Sequence, residues 1–149
     1  MQYSQEVRVK KINMKKVVES FHDIKIVKFL TLFQPIKIIE WSGIENKKVA
    51  HFKLWFLGWQ NFKVEHSDYK LDDDGLYFID NGILLPLGIS FWRHEHIVRS
   101  DGEDVIIEDR LAIKHKSAIL GVLLFPILIF PIVIRKFLYN IFYRRLKSI

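Results

Sequence analysis

An α+β domain built on one antiparallel sheet is what three features of this chain predict. Between residues 36 and 114, short runs rich in β-branched and aromatic residues follow one another, separated by turn-forming residues. Ahead of them, residues 13–33 carry apolar side chains at helical spacing. Behind them lies a long apolar segment, 118–134, continued by the amphipathic tail "RKFLYNIFYRRLKSI". Strands that succeed one another through tight turns form an antiparallel meander, and a helix must cover its apolar face.

In order, "SQEVRVKKI" (4–12) alternates Val7 and Val9 with charged residues and reads as the first strand. Asn13 is a good helix N-cap, and Val17, Phe21, Ile24, Val27 and Leu30 then mark two short helices broken near His22-Asp23. Pro35 ends that region. Six further strands are expected at 36–42, 48–57, 59–69, 76–80, 89–99 and 104–114. Their separators are Ser42-Gly43, Gly58, Asp72 to Gly75, Asn81-Gly82, Pro86 to Gly88 and Asp101-Gly102. No internal repeat interrupts this order, so residues 1–149 read as a single domain.

Composition narrows the function classes. The 149 residues are 50% hydrophobic, 14% aromatic and 27% charged, which suits a packed core rather than disorder. No cysteine is present, so disulfides, thiolate metal sites and a cysteine nucleophile are excluded. Its absence fits a reducing, cytoplasmic compartment. The net charge is +6, but the basic residues are dispersed in pairs such as Lys10-Lys11, Lys47-Lys48 and Arg144-Arg145. Without a basic stripe, zinc-finger spacing or glycine-rich loop, nucleic acid is not an expected partner. The N-terminus lacks the apolar core of a signal peptide.

Residues 118–134, "AILGVLLFPILIFPIVI", hold no polar side chain and are flanked by Lys114, Lys116, Arg135 and Lys136. Such a run is at the short end of lengths that span a bilayer. A membrane anchor is therefore one reading. The other is a helix gripping the sheet, with its outer face against a second copy of the chain or an anionic membrane surface. Pro126 and Pro131 each remove an internal hydrogen bond, so a bent helix is expected.

The stretch "FWRHEHIVRSDGEDVIIEDRLAI" (91–113) holds the candidate site. Side chains alternate faces along a strand, which puts Trp92, His94, His96 and Val98 together on the inner face. On the partner strand Val105, Ile107, Asp109, Leu111 and Ile113 share that face. A hairpin centred on Asp101-Gly102 pairs Val98 with Val105, His96 with Ile107, His94 with Asp109 and Trp92 with Leu111. In that register Asp109 accepts the His94 N–H inside an apolar face. Leaving either group unpaired costs about 1–3 kcal/mol. A nucleophile is missing, since Ser90 is four residues from His94. His94 and His96 lie about 7 Å apart along the strand. A metal would need Asp80 or His66 to converge on them, which spacing does not show. No cofactor or metal is expected, and the pair reads as a satisfied polar patch.

The ordered set Asp80, Pro86, "WRHEH" (92–96), Gly102, "DRLAI" (109–113), "AILG" (118–121) and "FYRRL" (142–146) resembles a bacterial branch of the SRPBCC superfamily, which includes START domains, the birch-pollen-allergen family and polyketide cyclases. "KHKSAILG" stands where a proline-glycine pair usually leads into the last helix. The resemblance implies the helix-grip fold: a curved seven-stranded sheet closed by a C-terminal helix around a cavity for a hydrophobic small molecule or lipid. Trp92, His94, His96 and Asp109, with Ile107, Leu111 and Phe78, are the cavity candidates. Non-enzymatic binding is the first expectation. A cyclase- or dehydratase-like enzyme with His94-Asp109 as general base is the alternative.

Overall fold

The computed structural model describes residues 1–148. Strand β1 (Gln2–Val9) is followed by helices α1 (Met14–Phe21) and α2 (Ile24–Leu30). Six strands succeed them: β2 (Ile36–Trp41), β3 (Val49–Trp55), β4 (Trp59–Asp72), β5 (Gly75–Leu84), β6 (Ile89–Asp101) and β7 (Asp104–His115). Helices α3 (Ala118–Val133) and α4 (Arg135–Lys147) close the chain. All seven strands form one antiparallel sheet in the order β1-β7-β6-β5-β4-β3-β2. The fold class expected from the sequence is the one observed.

Local chemistry accounts for the helices. Asn13 accepts the Lys15 N–H and Asp23 accepts the Lys25 N–H, so each short helix starts on a side-chain cap. Together α1, α2 and α4 cover one end of the sheet, where Val17, Phe21, Ile26 and Tyr139 pack against Val7, Phe78 and Ile107. Helix α3 covers the other end, burying Leu128 and Ile132 against Ala50, Val64, Trp92 and Leu111.

Two sequence expectations are corrected. The β6–β7 hairpin is displaced by two residues: Val98 pairs with Ile107, His96 with Asp109, His94 with Leu111 and Trp92 with Ile113. Its loop residues are Gly102 and Glu103, between the Asp101–Asp104 pair. Gly102 has φ +62°, as a tight hairpin with glycine in the first central position requires. Charge favours this register too. It sets Glu95 opposite Arg110, whereas the expected one set Glu95 against Glu108 and Arg93 against Arg110. An even displacement leaves every side chain on its face.

Second, Asn81-Gly82 is not a turn, because β5 runs on to Leu84. A Cβ on Gly82 would lie 2.4 Å from Leu85 Cδ2 and 2.9 Å from Trp92 Cβ, so the glycine admits close packing within the sheet. The long C-terminal helix expected from the sequence is present over Ala118–Lys147, with Ile134 as the one irregular residue between α3 and α4. Both prolines lie inside α3, which ends at Val133, soon after Pro131.

Candidate functional site

Two neighbouring rungs of the sheet carry the buried polar residues. Along one, His66 (β4), Asp80 (β5) and His94 (β6) are successive register partners. Along the next lie Phe78 (β5), His96 (β6), Asp109 (β7) and Gln5 (β1). His66, His94, His96, Asp109 and Gln5 are all buried, so their polar atoms need partners other than bulk water.

Asp109 is the deeper carboxylate. Its Oδ1 accepts from His94 Nε2 at 2.9 Å and its Oδ2 from Gln5 Nε2 at 3.0 Å. Gln5 also donates to the Ile132 carbonyl at 2.7 Å, serving a group at the C-terminal end of α3. The Arg135 guanidinium approaches Asp109 to 3.9 Å. On the other side Asp80 Oδ1 accepts from His66 Nδ1 at 2.8 Å and Oδ2 from His96 Nε2 at 2.9 Å. His94 Nδ1 lies 3.6 Å from Asp80 Oδ2, and His96 Nδ1 lies 3.5 Å from Asp109 Oδ1. The two imidazoles, with centroids 3.9 Å apart, therefore stand between two carboxylates. The expected His94–Asp109 contact exists, reached diagonally because Leu111 is the residue opposite His94.

Burial and charge set the protonation states. Burial would raise both carboxyls, but the histidine hydrogen bonds and charges outweigh it and hold Asp80 and Asp109 below the usual carboxylate range. For His94, burial works downward, while the hydrogen bond to Asp109 and the nearby Asp80 carboxylate lift it above the ordinary imidazole value. His96 is pushed down to about 4 by burial and by the charge on His94.

A pH dependence follows for chelator-treated protein. His96 contributes stability above pH 6.5 that is lost on acidification towards its folded value of about 4, a loss of roughly 3 kcal/mol. His94 has the opposite sign: its contribution is full below pH 6.5 and is lost as pH rises through its raised value. Urea midpoints should therefore peak near pH 6.5 and fall in both directions. Equal midpoints at pH 4.5, 6.5 and 8.5 would show that these rings do not titrate as described.

Above the rungs lies a cavity of about 240 Å³ between the sheet and the C-terminal helices. Of the residues named from the sequence, Phe78, Trp92, His94 and His96 line it, whereas Asp109, Ile107 and Leu111 are not among its lining residues. Sequence reading left Asp80, His66, Arg135 and Tyr139 outside the set, though all four line the cavity. Face alternation marks Asp80 with Phe78 and His66 with Val64 as inward-facing; no local signal places Arg135 and Tyr139. Ser90 is exposed, because β6 shifts register between Ile89 and Phe91, so it cannot serve His94.

Among the described residues, the buried side-chain polar atoms without a hydrogen-bond partner are Gln34 Oε1, His66 Nε2, Trp92 Nε1, His96 Nδ1, Arg135 Nε and Tyr139 OH. Every one belongs to a residue lining this cavity.

No protein-family model matches the chain, and no curated protein matches it by sequence. Solved structures do match. Norcoclaurine synthase from Thalictrum flavum superposes with a TM-score of 0.68 at 13% identity, covering 96% of this chain and 86% of the synthase. A protein from Thermus thermophilus gives a TM-score of 0.56 at 13% identity, over 95% of this chain and 89% of the other. The Zhui aromatase/cyclase from Streptomyces sp. R1128 gives 0.52 at 13% identity, over 81% and 72%. With a seven-stranded antiparallel sheet closed by C-terminal helices and these structural relatives, the chain has the helix-grip fold that its resemblance to the SRPBCC superfamily implies.

Proposed function

We propose that the protein binds a small hydrophobic molecule bearing one hydrogen-bonding group, held between the sheet and the C-terminal helices, without catalysing a reaction on it. The carrying observation is that the unpartnered buried polar atoms all belong to residues around one largely apolar cavity. Orphaned buried donors and acceptors cost about 1–3 kcal/mol each, and a ligand's polar group would supply a partner to one or two of them. Trp92 Nε1 and Arg135 Nε can only donate, which favours an acceptor such as a carbonyl or carboxylate. An apolar cavity of roughly 150 Å³ accommodates benzene. A volume of about 240 Å³ therefore suits a small fused-ring compound or a short acyl chain better than a diacyl lipid. In the same fold, a norcoclaurine synthase variant is found with a transition-state analogue. A general-base role for His94 is disfavoured, because its Nε2 is committed to Asp109 at 2.9 Å and the two flanking carboxylates raise its affinity for a proton.

Mass spectrometry of protein purified from its own cells should find one co-purifying apolar molecule of this size. Ala50 is buried in the cavity wall, so Ala50→Phe should fill the space and raise the Kd for that molecule at least ~10-fold while the fold persists. Unchanged affinity in the folded variant would place the ligand elsewhere.

A second reading concerns how the ligand arrives. Helix α3 buries Gly121, Leu128 and Ile132 yet exposes Ile119, Leu120, Val122, Leu123 and Phe130. Trp55, Ile127 and Phe130 are both exposed and part of the cavity wall, so the apolar surface reaches its rim. We infer reversible docking of this surface on anionic membranes, with Lys114, Lys116 and Lys136 meeting headgroups. Solution mass and vesicle co-sedimentation separate this from a dimer through α3 and from a membrane anchor at 118–134.

A further inference from the structure

The pair of imidazoles poses a proton-counting problem. Each ring has one nitrogen towards Asp80 Oδ2 (His96 Nε2 at 2.9 Å, His94 Nδ1 at 3.6 Å) and the other towards Asp109 Oδ1 (His94 Nε2 at 2.9 Å, His96 Nδ1 at 3.5 Å). Four ring nitrogens thus face two carboxylate oxygens. Two neutral imidazoles carry only two protons. A proton on His94 supplies a third, and a fourth would need a second imidazolium beside it at a centroid distance of 3.9 Å. Otherwise a nitrogen lone pair points at a buried carboxylate.

We propose that Asp80 Oδ2, His94 Nδ1 and His96 Nε2 bind a divalent first-row transition-metal ion at the inner wall of the cavity. Both remaining N–H groups then point to Asp109, and every proton has an acceptor. His96 Nδ1, a buried atom without a partner among the described residues, becomes the second donor to Asp109 Oδ1.

Geometry agrees at each level. Donor atoms from Asp80, His94 and His96 all lie within 4.8 Å of one another. Ligands at about 2.0–2.1 Å from a tetrahedral ion stand roughly 3.3 Å apart, between the 2.9 and 3.6 Å that separate Asp80 Oδ2 from the two rings. Outer partners are also in place. Asp109 takes the far N–H of His94, and His66 holds the other oxygen of Asp80 at 2.8 Å. Such carboxylate–histidine–metal arrangements fix the tautomer and raise ligand basicity. Two imidazoles and one carboxylate suit zinc, iron or cobalt rather than calcium or magnesium. Because Asp80, His94 and His96 all line the cavity, the remaining coordination position opens to it, where water or a ligand's oxygen can bind.

The test uses the full chain, stripped with a chelator and titrated with Zn2+ against a chromophoric competitor. One ion per chain with a Kd below ~1 µM is expected, with a raised unfolding temperature. X-ray absorption of the Co2+ form should show two imidazole ligands. His96→Gln should weaken Zn2+ binding about 100-fold or more, and Asp109→Asn, which leaves the ligand atoms intact, about 10–100-fold. Sub-stoichiometric binding, or a metal without imidazole ligands, would overturn the proposal, and the absorption measurement decides even where a variant fails to fold. Binding of the apolar ligand by the stripped protein is scored separately, so the cavity reading stands or falls on its own.

Discussion

Asp109→Ala is expected to lower the unfolding free energy by about 3–5 kcal/mol, the largest single-site loss in the sheet. The residue is wholly buried and accepts from both His94 and Gln5, with Arg135 nearby. Removing it leaves a buried imidazole whose proton Asp109 had helped to hold, a buried amide and a guanidinium without their counter-charge. Breaking a buried charged network from one side costs that much because the remaining partners stay desolvated. Asp109→Asn keeps the shape and should cost less, since the amide oxygen can still accept one N–H. In a cycle with His94→Phe, the double variant should be at least ~1 kcal/mol more stable than the two single losses added together. Strict additivity, measured by urea unfolding at pH 6.5, would mean that the two side chains are not coupled.

Replacing Val122 and Leu123 together by glutamate should weaken binding to anionic vesicles about 100-fold while the fold is kept. Both residues are 67% exposed on α3, and surface changes of this kind shift stability by only about 0.5 kcal/mol. Their transfer from water into an apolar phase is worth roughly 1.5–3 kcal/mol each when complete, and two new carboxylates oppose an anionic surface. Part of that sum suffices for the predicted change. Unchanged vesicle binding would remove α3 from the contact. A switch from dimer to monomer in the variant would assign the exposed face to a second copy instead.

Much of the sheet could be read from alternation alone. Trp92, His94, His96 and Val98 face inward because the opposite choice would bury Arg93 and Glu95, and the burial pattern of β6 follows that choice. Asn13 as a cap and the break near Asp23 are likewise local consequences of side-chain chemistry. The hairpin register was within reach too. The positive φ at Gly102 and the Glu95–Arg110 pair both favour a loop one residue later than the Asp-Gly rule suggests.

By contrast, the convergence of Asp80 and His66 on the two histidines depends on β4–β5 pairing, whose register shifts twice, between Lys63 and Val64 and between Ser67 and Lys70. The second shift moves the inward-facing positions from Val64 and His66 to Tyr69, and which residues then stand opposite one another is set by the partner strand. Arg135 and Tyr139 reach the cavity through the packing of α4 against β1 and α2. The sequence by itself thus determined which residues are inward-facing, since strand period and helix capping are set within a few residues of chain. Only the tertiary structure decided which of those residues meet, because bulges, strand register and the seating of the terminal helix are settled by packing between distant segments.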